Sequence, residues 1–263
     1  MALFFNGLKK KGYFCKLITT STMQAFILAA GLGTRLHPLT DTRPKALVEV
    51  QGTPLLKIAI DNIVRQGATR IVVNIHHFAD AVESYLKKHQ WDADILISDE
   101  RDMLLDTGGG LSKAAKLFSP DEPILIHNVD ILSRLNFNAI LKEHSDSMNI
   151  ATLVVSQRDT SRQLLFDQQH LLEGWQNTTT GETKWVHDTP IDCIKLAFSG
   201  IAVVDPHLPQ MLPKATTPFS IIPEYLNIAK KYRISYFEHS PKDWLDIGKP
   251  DTLQRAQSWT LNS

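Results

Sequence analysis

Two glycines, two cations and two carboxylates stand out in this chain because each sits where a phosphate ester could be handled. Gly31 and Gly33 directly follow the apolar run Gln24–Ala30 (QAFILAA), and Arg35 and Lys45 follow in the same loop. Glycines at such a position let backbone N–H groups approach phosphate oxygens closely and tolerate unusual dihedrals. Arg35 offers a bidentate fork to phosphate oxygens and Lys45 a point charge. A GxG after a strand is as often a tight turn, and either cation alone reads as a solvated surface group. Their company, in one loop punctuated by Pro38 and Pro44, favours phosphate binding. Asp130 follows a second apolar run, Pro123–Val129 (PILIHNV), and so lies at a strand's carboxyl end. A carboxylate there is a natural oxygen ligand for Mg²⁺; a turn or helix-capping aspartate is the competing reading.

Two familiar phosphate loops are excluded on detail. A Walker loop requires Gly-Lys-Ser/Thr after four intervening residues, and none follows Gly31. The dinucleotide fingerprint needs a third glycine where Leu36 stands and an acid ending the second strand, which closes instead near Asn74 and Ile75. A nicotinamide enzyme is therefore not expected.

The elements that must position these residues follow from apolar periodicity. Gln24–Ala30 reads as a buried parallel strand. Thr53–Gln66 has helical spacing, with Gly67 placed to end it. Thr69–Ile75 and Ala93–Ser98 read as strands, Asp80–Lys88 as a helix, and Leu111–Phe118 as a helix after a glycine turn. With Pro123–Val129 this gives βαβαβαβ, which calls for a doubly wound, mostly parallel α/β sheet of Rossmann-like type. Beyond residue 149 the rhythm changes. Asn149–Gln157, Leu164–Asp167 and His170–Trp175 suggest a small antiparallel extension, interrupted by an exposed loop at Asn177–Lys184. Cys193–Val204 returns as a strand, followed by a helix at Ile221–Lys231, a strand at Ile234–Glu238 and a closing helix at Pro250–Trp259.

Of 263 residues 43% are hydrophobic, enough for one sizeable core. Acidic and basic residues balance at 28 each, which removes the electrostatic footprint of a nucleic-acid binder. No apolar run approaches the roughly 18 residues of a membrane span. The two cysteines, Cys15 and Cys193, read as unpaired thiols of a reducing compartment, so a cytoplasmic protein is expected. Residues 1–22 carry Lys9, Lys10, Lys11 and Lys16 but no continuous apolar stretch of a signal peptide. They are expected to be an extension outside the fold, leaving residues 23–263 as one domain.

The stretch AAGLGTRLHPLT…RPKALV resembles the signature of the sugar-1-phosphate nucleotidyltransferases, G-x-G-[ST]-R-[LM]-x-P-L-T followed by P-K. The resemblance extends over nearly the whole chain after Met23. It is strongest toward short bacterial members, of the N-acetylmuramate 1-phosphate uridylyltransferase and mannose-1-phosphate guanylyltransferase type. It implies transfer of a nucleotidyl group, with UTP favoured, to a sugar 1-phosphate, with Mg²⁺ as cofactor and with homo-oligomers possible. It implies that Leu28, Ala30, Gly31, Gly33 and Thr34, with the cluster Asp106, Thr107, Gly108 and Gly109, bind the nucleotide. Arg35 and Lys45 become catalytic. Phe198-Ser199-Gly200 resembles the family's sugar-facing strand, which makes Asn128, Ser199 and Gly200 the substrate side. Asp246, in DWLDIGKPDTL, matches the family's W-x-D-[IV]-G-x-P and is assigned a metal contact opposite Asp130. Val129 departs from the family's N-G-D, where Asn128-Val129-Asp130 stands. Two other functions share these features: a cytidylyltransferase acting on phosphocholine or a similar phospho-alcohol, and an inactive subunit that senses nucleotide sugars. Retention of both cations and both carboxylates argues against the second.

Overall fold

A computed structural model describes residues 23–188 and 190–259; the expectation for residues 1–22 lies outside them. The chain enters on β1 (Met23–Leu28), whose side chains alternate between two apolar layers: Ala25 and Ile27 on one face, Phe26 on the other. The glycine loop leads to a small ribbon of β2 (Glu49–Val50) and β3 (Thr53–Pro54). Helix α1 (Leu55–Arg65) buries Leu55, Leu56, Ile58, Ala59, Ile60 and Ile63. Gly67 follows its end with φ +102°, a dihedral that disfavours any side chain. Strand β4 (Ala68–Ile75), α2 (Ala79–Lys88), β5 (Asp94–Asp99), α3 (Asp106–Ala114) and β6 (Ile124–Asn128) complete the alternating half.

The second half is β7 (Ile131–Ser133), α4 (Phe137–Asp146), β8 (Ala151–Ser156), β9 (Arg162–Phe166), β10 (Leu172–Asn177) and β11 (Thr183–Trp185). Then come β12 (Ile194–Val204), α5 (Leu208–Met211), α6 (Ile221–Ala229), β13 (Ile234–Glu238), β14 (Trp244–Asp246) and α7 (Pro250–Ala256).

Strands β5, β4, β1 and β6 lie side by side and parallel. Chain order reverses between β1 and β6, and such a switch point is where open α/β sheets bind ligands, outside the strands' carboxyl ends. The sheet continues through β12, antiparallel to β6, then β8 and β13. Because β8 is antiparallel to β12, it runs parallel to β6, so both finish on the ligand edge. The outer half of β12 also carries β9, β10 and β11 as the antiparallel extension.

Two departures from the sequence expectation matter for the site. The glycine cluster does not precede a helix as a turn; Gly108, Gly109 and Gly110 form the first turns of α3, all buried. A Cβ on Gly108 would stand 2.6 Å from the Phe219 ring, and one on Gly110 2.8 Å from Glu100 Oε1. Close packing, rather than flexibility, explains the run. Helix α4 was not among the expected elements, although its signal is present: Asn136 accepts from the Ala139 N–H as an N-cap, and Phe137, Ile140 and Leu141 bury one face.

Candidate active site

At the switch point the carboxyl ends of β1, β4 and β6 surround a cavity of about 500 Å³. Leu28, Ala29, Ala30 and Gly31 line it from β1 and its loop, Asn74 from β4, and Asn128, Val129 and Asp130 from β6. Leu104, Asp106, Thr107 and Pro218 close the far wall. No atom stands within 4 Å of where a Gly31 Cβ would project, so the backbone there is open to a ligand. Gly33 has another task. Its φ of +70° and the 2.9 Å a Cβ would leave to Thr40 Cγ2 require glycine in the turn. That turn opens the short helical segment Thr34–Leu36 and brings Arg35 toward the carboxylates. Gly33 and Thr34 are not among the residues lining the cavity.

Lys45 comes from the turn after Pro44 and hydrogen-bonds Asp130 Oδ2. Both side chains are largely buried, while Arg35 is more than half exposed. The Arg35 guanidinium lies 3.9 Å from Asp130 and 3.8 Å from Asp246. Asp246 reaches this point because β14 pairs antiparallel with β7, setting Asp246 opposite Ile131. The Ile247 N–H then donates to the Asp130 carbonyl at 2.8 Å. Burial, and next the charge of Asp130, push the Asp246 carboxyl above its usual range, with Arg35 and Lys45 opposing. Its Oδ1 is buried without a hydrogen-bond partner. Two carboxylates facing one another, one with an unused buried oxygen, fit a divalent cation. Among the described residues no group of three His, Cys, Asp or Glu side chains gathers around a common point. A cation here would take its remaining ligands from phosphate and water, the habit of Mg²⁺.

Sequence reasoning missed Asn74 and Glu100. The Asn74 Oδ1 accepts from the Ala29 and Ala30 N–H groups at 2.7 and 3.2 Å, and its Nδ2 donates to Glu100 Oε1 at 2.8 Å. Glu100 Oε2 in turn accepts from the Leu105 N–H. Burial raises the Glu100 carboxyl above its ordinary range, while Asn74 and Leu105 pull it back. This chain of bonds joins the start of the glycine loop to the corner opening α3. Only the polarity of Asn74 at the end of an apolar strand hinted at it.

Other predicted residues are placed differently from expectation. Gly108 and Gly109 do not line the cavity; both N–H groups donate to the Phe219 carbonyl, and Asp106 and Thr107 take the cavity wall. Asp106 holds φ +60°, an uncommon conformation for a residue with a side chain. Ser199 is fully buried, and its hydroxyl is engaged with His239 Nε2 at 2.8 Å, so it does not present that hydroxyl to a ligand. Gly200 does its work by absence: at φ +72°, a Cβ would come within 2.8 Å of Asn128 Nδ2. That gap lets Asn128 lie at the cavity.

A doubly wound sheet whose switch point gathers an open glycine backbone, two cations and two facing carboxylates defines a nucleotide-handling phosphotransfer site. The sequence model of the family described as Nucleotidyl transferase matches residues 24–164, and the chain belongs to that family and is a nucleotidyltransferase. It is 30% identical, over 89% of its length and 95% of the relative's, to N-acetylmuramate alpha-1-phosphate uridylyltransferase of Caulobacter vibrioides. The protein of the same name from Neisseria meningitidis is 27% identical, over 90% of this chain and 97% of that one. Among solved structures, HddC from Yersinia pseudotuberculosis complexed with GMP-PN superposes with a TM-score of 0.69 at 20% identity, covering 89% of this chain and 98% of that one.

Proposed function

We propose that the protein transfers a uridylyl group from UTP to a sugar 1-phosphate, releasing pyrophosphate, in the cytoplasm and with Mg²⁺. The observation that carries this reading is the convergence of three separate segments: Gly31 and Lys45 of the first loop and Asp130 line one cavity, and Asp246 joins them beside Arg35. The relatives' acceptor, N-acetylmuramate 1-phosphate, is the first to test; it is N-acetylglucosamine 1-phosphate bearing a lactyl carboxylate.

The acceptor's phosphate oxygen is already anionic at neutral pH and needs no general base. It attacks the α-phosphorus in line as pyrophosphate leaves, so catalysis consists of alignment and charge neutralisation. The open backbone at Gly31 cradles the triphosphate, and Arg35, exposed beside the two carboxylates, clamps its outer phosphates. Lys45, poised between Asp130 and the cavity, bridges the α-phosphate and the incoming phosphate. Asp130 and Asp246 would hold Mg²⁺, which supplies screening of the repulsion between two anions. The test is a matrix of the four ribonucleoside triphosphates and dTTP against neutral and acidic sugar 1-phosphates and phosphocholine, read as pyrophosphate release with calorimetric binding beside it. UTP should lead; turnover with CTP and phosphocholine alone would replace this reading with a cytidylyltransferase, and binding without turnover with a sensor.

A further inference from the structure

Along the ligand edge of the sheet the strands follow in the order β1, β6, β12, β8 and β13. The first two carry the glycine loop and Asp130. Past them stand Gly200 on β12, Arg158 just beyond the carboxyl end of β8, and His239 just beyond β13. Strands are spaced about 4.8 Å apart, so Arg158 starts roughly 10 Å from the strand bearing Asp130, far enough to seat a hexose ring between them.

Arg158 is unlike the protein's surface cations. It is half-buried, its guanidinium lies 4.4 Å over the Trp244 ring, and one Nη2–H donates to the Phe198 carbonyl. Its Nε–H is buried and has no partner. The platform beneath it is fixed: Trp244 Nε1 donates to the Ser199 carbonyl at 2.8 Å, and the Ser199 hydroxyl donates to His239 Nε2. His239 Nδ1 donates to the Ser240 carbonyl at 2.9 Å, which sets that tautomer. Burial lowers the Arg158 pKa, and Asp246 is the carboxylate whose charge reaches it. A desolvated, stacked guanidinium with no ion pair among the described residues is preorganised for an anion.

We infer that Arg158 is a specificity-determining residue that pairs with a carboxylate carried by the acceptor sugar, and so selects acidic over neutral sugar 1-phosphates. This rests on the proposed function. The phosphate itself is assigned to Lys45 and to the cation that the two aspartates would hold, which leaves Arg158 an anion at the other end of the ring. A charge-assisted pair of this kind amounts to about 10- to 100-fold in selectivity.

The experiment compares kcat/KM for N-acetylmuramate 1-phosphate and N-acetylglucosamine 1-phosphate in the wild type, Arg158→Met and Arg158→Lys. Met keeps an apolar stem on Trp244, and Lys keeps the charge without the fork. Wild type should favour the acidic acceptor; Arg158→Met should lose about 10- to 100-fold on it while changing less than about threefold on the neutral one. Arg158→Lys should restore part of the preference. Equal losses on both acceptors, or a wild type indifferent to the carboxylate, would overturn the inference. Should neither acceptor turn over, the proposed function fails. Calorimetric binding of the same two acceptors to wild type and Arg158→Met then still decides the role of Arg158: it stands if wild type prefers the acidic one and Arg158→Met does not, and falls if the two proteins bind alike or not at all.

Discussion

Replacing Asn74 by alanine removes one side-chain amide and strands three buried groups at once. The N–H groups of Ala29 and Ala30 lose their acceptor, and Glu100 Oε1 loses its donor. Asn74 is 2% exposed, Ala29 and Ala30 3%, and Glu100 0%, so water has little access to them except from the cavity side. An unsatisfied buried donor costs about 1–3 kcal/mol. With partial relief from water entering at the cavity, the expected loss is about 2–4 kcal/mol. For a chain of this size that lowers Tm by about 5–15 °C. The pH dependence sharpens the test. Asn74 is one of the groups that holds the Glu100 pKa down against burial, so the variant's folded-state pKa lies higher still. A carboxyl raised on folding gains relative stability as pH falls, and protonated Glu100 no longer needs the lost donor. The deficit should therefore shrink between pH 8 and pH 5, measured by calorimetry or urea unfolding at both values. A melting point within about 2 °C of wild type at neutral pH, or a deficit that does not narrow toward acid, would refute the network argument.

Lys45→Ala should slow turnover by about 10²–10³-fold, the usual cost of one preorganised contact to developing charge. A melting curve belongs beside that assay, because Asp130 loses its nearest cation; near-normal turnover by a folded variant ends the assignment. Asp130→Asn and Asp246→Asn should each raise the magnesium concentration needed for half-maximal rate. Their double variant should be little worse than the poorer single one; additive losses with unchanged magnesium dependence would separate them. Gly108→Ala drives a methyl against the Phe219 ring and should cost about 1–3 kcal/mol by overpacking, read as a shift in the urea midpoint; an unchanged midpoint would show that Phe219 moves aside freely.

The parallel half was legible because buried strands advertise themselves as apolar runs ending in glycine or a polar residue. QAFILAA and PILIHNV put Gly31 and Asp130 on the correct edge before any register was known. What stayed hidden depends on partners distant in sequence. Nothing local in Asn74 or Glu100 says that the register of β4 against β5, followed by the Leu105 corner, brings them together. The three consecutive glycines looked like a turn because glycine disfavours helices; the opposing Phe219, more than a hundred residues on, reverses that preference. Ser199 was assigned to substrate by motif alone, and the buried His239 that takes its hydroxyl lies forty residues away.

The pairing of β7 with β14 has a consequence for how the parts of the site are coupled. Asp130 stands one residue before β7 and Asp246 is the last residue of β14, so a three-residue ladder sets their mutual position. A slip of one residue would turn Asp246 to the opposite face and dissolve the pair. The chain between Ser133 and Trp244 returns to the central sheet through β12, which pairs with β6, so the strand leading to Asp130 is braced on that side as well. Because Trp244 of the clasp also carries the Arg158 guanidinium and donates to the Ser199 carbonyl, a shift of β14 would disturb the Arg158 platform and the carboxylate pair together.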